Sequence, residues 1–422
     1  MIRPERKTIA EWESSLSDTS RRNLRQAANR IIDAKRRGGS VVVVTGSGPN
    51  IHEGVTTLIA EFMKQGVVNG VITSAAVVAH EMAGTLDRVK RVVAAAHPEL
   101  GLPSGILPRG GVFEITLLSE AQRTALQLEI DSHWDLYDRI AGLPGDVIIK
   151  AAGNMGWPMG PRTERLAREA ERLAQEHGLP LERVVGFGAD AMTMIGVGAR
   201  LDLPVIVSTP QLVGGGAVGL AIGDAISITR RGQIVSSVLA GADVILESAI
   251  ALSQEIHDGP FELYTGHGIW SAWQKEFSYS LEGKSLVRID LDPNLERAWL
   301  QERQSSQVQQ AVDRGLPKTK LTGIPFRMEM SGFARLEGSL PVTADIGVAW
   351  PVLAVAVEEG LGLQLDFVSA PQETREGKQM REWITENVKA VDRQKMKAEL
   401  RPSVAGHSRQ PGDHREDAKI HD

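Results

Sequence analysis

Four consecutive valines at residues 41–44 open the stretch that most constrains the fold. An apolar run of this kind is typical of a strand buried on both faces of a parallel sheet. A turn-forming sequence follows at residues 46–50, and apolar residues then recur with helical spacing as far as Phe62. A second apolar run, residues 67–73, ends in three small residues. The stretch therefore predicts a βαβ unit whose loops lie at the carboxyl ends of neighbouring strands, where open α/β sheets bind ligands.

The composition excludes several classes of protein. The chain has 422 residues, a net charge of −6 and no cysteine. The charge gives no reason to expect nucleic acid or an anionic membrane as a partner, and the absence of cysteine excludes disulfides, thiolate nucleophiles and cysteine-based zinc sites. The amino terminus lacks the apolar core of a signal peptide, and no uninterrupted apolar run is long enough to span a bilayer. We therefore expect a cytoplasmic protein.

The chain divides into three predicted parts. Residues 1–38 are charged, have helical spacing and predict a helical extension at the amino terminus. Residues 39–400 predict a single large α/β domain, with a loop insertion near 86–118 where prolines and glycines concentrate. A short buried strand is expected at residues 146–150. Residues 401–422 are polar without periodicity, which predicts a disordered tail.

The order of elements and four local motifs resemble the deoxyhypusine synthase superfamily. The motifs are an apolar strand ending V-N-G-V-I-T-S-A-A, the strand and Gly-rich turn of residues 203–216, the G-A-D and E-S-A of residues 241–249, and P-V-T-A-D at 341–345. The resemblance covers roughly residues 41–360 and implies a doubly wound, mostly parallel, Rossmann-like sheet that binds NAD. It also includes the NAD domain of non-classical ornithine cyclodeaminases, and it implies a homo-oligomer, a tetramer by preference, because family sites form between subunits.

Two departures from that family bear on the reaction. Deoxyhypusine synthases form an imine through a lysine in an S-W-G-K motif, and the matching residues here are Ser331-Gly332-Phe333-Ala334 with Arg335 next. The paired histidines that follow the Gly-rich strand in the family are also absent. The chain is therefore not expected to transfer an aminobutyl group to a protein lysine, whereas NAD binding remains implied.

The cofactor is expected at the loops of the opening unit. Glycines in the first loop let the backbone approach a phosphate, and the small residues after the second strand form the adjoining wall. The alternative is an ordinary strand–helix turn. The residue after the last strand lies where the family's aspartate meets the cofactor, with a helix N-cap as the alternative. The predicted cofactor residues are Gly46, Ser47, Gly48, Ser74, Ala75, Ala76 and Asp345.

Candidate acid–base residues follow the same strands. His52, His80 and Glu81 lie just beyond strand ends, where an imidazole near neutral pKa exchanges protons with substrate; the alternative is that they are solvated residues of a first helical turn. Glu81, with His80, also falls where the family carries a catalytic-site acid. Lys150 ends an apolar strand and is a candidate base or imine former, or else an anion contact or a surface side chain. None of these residues has metal-ligand spacing.

Further candidates lie in three other loops. His267 lies between two glycines ahead of Trp270 and Glu276, and aromatic faces with carboxylates suit a cationic amine. Asn154 is placed to orient a substrate, and Asp190 to bind an amine. The alternatives are core tryptophans and helix caps.

These observations predict an NAD-dependent enzyme that acts on a small amine or amino acid by hydride abstraction and an imine intermediate. Two alternatives stay open. One is a non-redox lyase, hydrolase or racemase on the same scaffold, and the other is a non-catalytic protein that binds NAD or a metabolite.

Overall fold

The structure is a computed structural model that describes residues 3–46, 48–101, 111–153, 156–212, 214–249, 283–290 and 339–400, with a few isolated positions between 297 and 310. The segment 331–335 and the tail 401–422 lie outside the described residues.

The strands and helices follow each other in alternating order through most of the chain. The strands are β1 Val41–Thr45, β2 Gly70–Thr73, β3 Leu86–Val93, β4 Val112–Thr116, β5 Asp146–Ala151, β6 Val205–Val207, β7 Val244–Ser248, β8 Ser285–Asp290 and β9 Leu340–Thr343. The helices are α1 Arg6–Ser15, α2 Asp18–Arg36, α3 Pro49–His52, α4 Val55–Lys64, α5 Ala75–Met82, α6 Glu120–Glu129, α7 Trp134–Gly142, α8 Met159–His177, α9 Leu181–Gly188, α10 Met194–Leu201, α11 Gly216–Ala225, α12 Ile228–Ala240, α13 Ile346–Leu361, α14 Arg375–Asn387 and α15 Arg393–Glu399.

Six strands form one parallel sheet in the order β6-β2-β1-β7-β8-β9. Counted along the chain within this sheet, the order is third, second, first, fourth, fifth, sixth, which is the arrangement of the dinucleotide-binding Rossmann fold. The strand order reverses between β1 and β7, and a crevice forms at the carboxyl ends of strands at such a point. The doubly wound parallel sheet expected from the resemblance is confirmed.

The valines of β1 explain why this strand lies at the centre of the sheet. Val41 and Val43 face one apolar core, with α2, α4 and α5, whereas Val42 and Val44 face a smaller core closed by α12. All four are buried. The strand is apolar on both faces because helices cover both faces of the sheet.

The helical extension at the amino terminus is also confirmed, and it protects the edge of the sheet. On α2, the Ser20 hydroxyl donates to the Thr343 carbonyl, and Asn23 Nδ2 donates to the Pro341 carbonyl at 2.6 Å. Both acceptors lie on or beside the edge strand β9. These contacts satisfy carbonyls that an exposed edge would leave free to pair with another chain.

The expectation of a loop at residues 86–118 is wrong for much of its length. β3 and β4 lie in this interval and form an antiparallel sheet with β5 in the order β4-β3-β5. Charged side chains on β3 mask its alternating pattern in the sequence. Two of them, Arg88 and Arg91, pair with carboxylates of α14 and β4. β5 was expected to be buried, but as an edge strand it leaves Val147 53% and Ile148 37% exposed.

Within the described part of the chain, no helix has the length and apolar character needed to cross a membrane.

Candidate active site at the carboxyl edge of the sheet

A buried hydrogen-bond network fastens the crevice between β1 and β7. Asn50 Nδ2 donates to the Gly46 carbonyl at 3.2 Å and to the Ser248 carbonyl at 3.1 Å. The Ser248 hydroxyl donates to Asn50 Oδ1 at 2.6 Å and accepts from Trp350 Nε1 at 2.8 Å. The loop after β1, the end of β7 and α13 are therefore held together at the point where the strand order reverses.

The loop after β1 contains the predicted glycines. Gly48 has a φ of 69°, and a Cβ at this position would meet no atom within 4 Å. The positive φ explains the need for glycine, and the open space lets a ligand approach the backbone. Gly46 accepts the Asn50 bond described above, and Ser47 lies outside the described residues.

The predicted wall after β2 lies against the Gly-rich turn. Ser74 is the N-cap of α5 and accepts from the Val77 amide at 3.4 Å, while Ala75 and Ala76 are buried in the first turn. A Cβ on Gly215 would lie only 2.7 Å from the Ala75 side chain. Gly215 is thus needed for close packing against α5.

Asp345 lies in the place that the sequence predicted, directly after β9. Its carboxylate accepts from the Gly347 amide at 2.8 Å and is the N-cap of α13. The N-cap alternative is therefore observed, and a contact with a cofactor stays a prediction.

Glu53 is a buried acid beside this cap. Its Oε2 accepts from the Gln372 amide at 2.7 Å, and a Cβ on Gly347 would lie 2.4 Å from the same oxygen. Burial raises the pKa of Glu53 to about 7 against the lowering effect of the Gln372 bond, and the charges of Asp345 and Glu373 raise it further. A carboxyl group with such a pKa can both accept and donate a proton near neutral pH.

His80 is a buried imidazole with a defined partner. Its Nδ1 lies 2.7 Å from the Ala152 carbonyl, so Nδ1 carries the proton and donates it to that oxygen. Burial lowers the pKa of His80, and the positive charge of Lys150 lowers it further against the effect of the carbonyl. His80 is therefore neutral at neutral pH, with Nε2 as its basic nitrogen.

His52 is half-buried within a group of basic side chains. Its pKa falls to about 4, mainly because of burial and then because of the charges of Arg381, His80 and Lys150. The contacts meet on β5, because Arg381 binds the Ile149 carbonyl, His80 binds the Ala152 carbonyl and Lys150 lies between these two residues. α3, which ends at His52, packs against the same strand. The structure brings together three residues that the sequence singled out, His52, His80 and Lys150, and adds Arg381 from α14.

Arg381 has the most distinctive surroundings of this group. Its Nη2 donates to the Ile149 carbonyl of β5. Its Nε is buried and has no hydrogen-bond partner among the described residues. Burial lowers the pKa of Arg381, and the negative charges of Glu53 and Glu382 oppose this shift. A buried guanidinium N–H without a partner is costly.

Lys150 lies on a polar face of the small sheet. Its Nζ is 2.7 Å from Glu114 Oε2, and Arg91 Nε is 3.2 Å from the other oxygen of the same carboxylate. Asp87 is the cross-strand neighbour of Lys150 and accepts from the Thr116 hydroxyl at 3.3 Å. Burial raises the pKa of Asp87 to about 7, although hydrogen bonds from Gly153 and Thr116 oppose the shift.

Asp87 also lines a cavity of about 580 Å³. Thr116, Gln122 and Lys389 contribute polar groups to the lining, and Leu86 and Met159 contribute apolar ones. The cavity therefore joins the small sheet to the ends of α5 and α14 with room for a small molecule.

Two of the predicted site residues, Glu81 and Asp190, accept hydrogen bonds from backbone amides. The two Glu81 oxygens accept from the Met194 and Ile195 amides at 2.9 and 3.0 Å, at the start of α10. Burial raises the pKa of Glu81 to about 7 against these bonds. Asp190 accepts from the Met192 and Lys389 amides at 2.9 and 3.1 Å. Both carboxylates stabilise loops and helix ends here, and their roles in chemistry stay predictions.

Four other predicted residues, Asn154, His267, Trp270 and Glu276, lie outside the described residues. In the part of the chain that the structure describes, no three His, Asp or Glu side chains converge in a way that could hold a metal ion.

Sequence reasoning missed Arg381 and Asp87 and did not select Glu53. Glu53 was visible only as the neighbour of His52. Asp87 lay in the interval expected to be a loop. Arg381 lies on a charged helix far along the chain, and nothing in its local sequence separates it from the exposed arginines near it.

The sequence matches no protein-family model and no curated protein. Distant likenesses exist among solved structures. A conserved protein from Methanococcus maripaludis S2, described as LOR/SDH, has 11% identity and a TM-score of 0.36, with 80% of this chain and 67% of that chain covered.

Two further similar structures belong to proteins that are longer than this chain. ArgZ, an arginine dihydrolase from cyanobacteria, has 13% identity and a TM-score of 0.38 over 82% of this chain and 32% of that chain. AgrE, solved with ornithine and NAD⁺, has 13% identity and a TM-score of 0.37 over 82% of this chain and 34% of that chain. The present chain thus spans about a third of the length of these two proteins. Since all three TM-scores are below 0.5, the fold described above is established by its own strand order.

Proposed function

We propose that this protein is an NAD-dependent enzyme that acts on a small amino acid or amine. The observation that carries the proposal is the position of the basic group around Arg381. It lies beside the loop after β1, next to the crevice that a Rossmann strand order creates.

The loop after β1 supports the binding of NAD in this crevice. Gly46 and Gly48 would hold the pyrophosphate, because the backbone of Gly48 faces open space in a conformation that suits glycine. The end of β2 differs from the usual pattern, since Thr73 and Ser74 stand where an acid often accepts a ribose hydroxyl. When bound, NAD accepts a hydride from the carbon that bears the amine.

Arg381 supports an amino acid as the substrate. Its guanidinium is only half-buried, and a guanidinium group is a donor that suits a carboxylate. Lys150 follows Ile149, whose carbonyl Arg381 binds, and so provides a second cation near it. A substrate carboxylate at Arg381 would place the amine end of the molecule near Glu53, whose charge already acts on Arg381.

Glu53 and His80 are suited to the transfer of protons. A carboxyl group with a pKa of about 7 takes a proton from the ammonium before the hydride leaves. His80, neutral and fixed by the Ala152 carbonyl, is a second base with a defined orientation. Together they would support oxidation of the amine to an imine and its later reaction.

The first test measures NAD and NADP binding to the full chain by isothermal titration calorimetry. A panel of amino acids and amines is then assayed for formation of reduced cofactor. Binding of NAD together with turnover of an amino acid is the expected result. If neither cofactor binds, the proposal is wrong; turnover without cofactor would favour a non-redox enzyme, and NAD binding without turnover would favour a sensor.

Arg381→Lys and Arg375→Lys form a matched pair on α14. Arg375 is 82% exposed and pairs with Glu376 on the surface. We expect Arg381→Lys to raise the KM for the amino acid at least tenfold, which corresponds to about 1.4 kcal/mol of lost binding, and Arg375→Lys to leave it unchanged. Equal KM values in both variants would remove Arg381 from the substrate site. Lys150→Ala and His80→Ala test the neighbouring groups in the same assay.

The resemblance also leads us to propose a cytoplasmic homo-oligomer, with a tetramer favoured. Native mass spectrometry of the purified protein tests the assembly, and a monomer at working concentration would contradict it.

A further inference from the structure

We propose that an arginine-lined cavity between α6, α8 and α15 is a binding site for a phosphate or pyrophosphate group of a small molecule. We call it the arginine cavity. It lies apart from the crevice between β1 and β7, so the inference does not depend on the function proposed above.

The arginine cavity is built on one face of α8. Arg162, Arg165, Glu169 and Arg172 recur at three- and four-residue intervals and therefore lie on the same side of the helix. Arg393 of α15 faces them. The cavity measures about 240 Å³, which is below the range of drug-sized pockets and suits a compact anion.

The charges in the lining are not balanced. Five arginines and two glutamates line the arginine cavity, although the chain as a whole carries a net charge of −6. Glu169 is shared by Arg393 and Lys397, and Arg168 pairs with Glu171. Within the described part of the chain, Arg165 and Arg172 have no ion-pair partner.

Arg162 gives the second, independent observation. Its side chain is only 6% exposed, and its Nε and Nη2 donate to the two Glu129 oxygens at 2.7 and 3.3 Å. Its Nη1 is buried and has no hydrogen-bond partner among the described residues. Arg162 thus leaves one charged donor unsatisfied in the wall of the cavity, and the exposed Arg165 and Arg172 supply the donors that an anion reaches.

The wall that carries Arg162 is held in place by the fold. Arg162 Nη2 donates to the Val391 carbonyl at 2.7 Å, and the Val391 amide donates to the Met82 carbonyl of α5 at 2.9 Å. The guanidinium is therefore positioned before any anion arrives, which lowers the entropic cost of binding.

Guanidinium groups bind phosphate oxygens through paired N–H donors, and several arginines around one cavity favour a group with more than one negative charge. Inorganic phosphate, inorganic pyrophosphate and ADP are therefore the probes. Comparison of pyrophosphate with ADP distinguishes a free anion from the pyrophosphate of a nucleotide.

The test is calorimetric titration of the full chain at low ionic strength. We expect pyrophosphate to bind, with an affinity that falls as salt is added, and we expect Arg165→Ala/Arg172→Ala to weaken binding at least tenfold. Both arginines are exposed on α8, so the variant should fold, as checked by circular dichroism. Arg22→Ala/Arg37→Ala, which removes two exposed arginines from α2 and the residue after it, is the control and should bind normally.

A second measurement uses the unmodified protein. Hydrogen exchange with and without pyrophosphate should show protection concentrated at the start of α8 and around residues 391–397. The proposal is overturned if no probe binds, if the two double variants bind equally, or if protection appears only elsewhere.

Discussion

The raised pKa of Glu53 leads to a prediction about stability. The pH dependence that this residue gives to the free energy of unfolding has a sign that is unusual for an acid. Its pKa rises from 4.5 to about 7 in the folded protein, mainly because of burial. The folded state therefore holds a proton that the unfolded chain releases between these two values. Glu53 lowers the free energy of unfolding progressively as pH rises through this window, and the loss is complete above a pH of about 7. A shift of this size corresponds to about 3 kcal/mol.

Replacement of Glu53 by glutamine removes this penalty. Glutamine has nearly the same shape, remains neutral, and its carbonyl can accept the Gln372 N–H bond that now ends on Oε2. We expect Glu53→Gln to be more stable than the parent protein by about 3 kcal/mol at a pH of about 8.5. The two proteins should be almost equally stable at a pH of about 4. If Glu53 transfers protons, the same variant loses turnover.

Urea unfolding at both pH values is the assay, and Glu61→Gln is the control. Glu61 is buried in the adjacent helix, but its carboxylate accepts from Lys64 at 2.8 Å and from the Asp366 amide at 3.1 Å. Loss of these two bonds to its carboxylate should therefore destabilise the protein, opposite in sign to Glu53→Gln. If Glu53→Gln gains no stability at high pH relative to low pH, burial does not raise the pKa of this carboxyl group and the reasoning is refuted.

Three other perturbations test the frame around the site. Arg231 and Glu182 form a fully buried ion pair, 1% and 0% exposed with 2.5 Å between Nη1 and Oε1, so Arg231→Met should cost about 3–5 kcal/mol in urea unfolding. The double variant Arg231→Met/Glu182→Gln should recover part of that loss, and a single variant no less stable than the double would contradict the account. Trp350→Phe removes the bond to the Ser248 hydroxyl and leaves a cavity beside a fully buried ring, so it should cost about 2–4 kcal/mol, with faster hydrogen exchange at the end of β7. Gly48→Ala forces a side chain to adopt a φ of 69° and should cost about 1–3 kcal/mol, with weaker NAD binding by calorimetry; unchanged values would remove the need for glycine in this turn.

The sequence predicted the parallel sheet well because its central strands are apolar on both faces. Residues 41–44 indicated β1, and the run that ends at Thr73 indicated β2. The small sheet escaped prediction because β3 alternates charged and apolar residues irregularly and β5 lies at an edge. The spacing of hydrophobic residues predicts a strand well when each face of the strand has a uniform environment. β3 and β5 have no such uniform environment.

The candidate site likewise contains residues that the sequence indicated and residues whose role only the structure shows. His52 and His80 were visible because polar residues after apolar strands indicate the carboxyl edge of a parallel sheet. Lys150 was visible at the end of an apolar run, but that run forms an edge strand of the small antiparallel sheet. Glu81 was equally visible from its sequence, but in the folded protein its carboxylate caps α10. No pattern in a single chain distinguishes a buried cap from a buried catalytic acid.

The sequence by itself determined the class of fold, the helical extension and the loops where a cofactor is expected, because strand burial and turn chemistry are properties of neighbouring residues. Only the tertiary structure decided the strand order that creates the crevice, the approach of Arg381 to His52, and the shift of the Glu53 pKa. Each of these depends on burial and on charges that meet across hundreds of residues of chain. Electrostatic interactions of that kind act through space, and a local pattern carries no record of them.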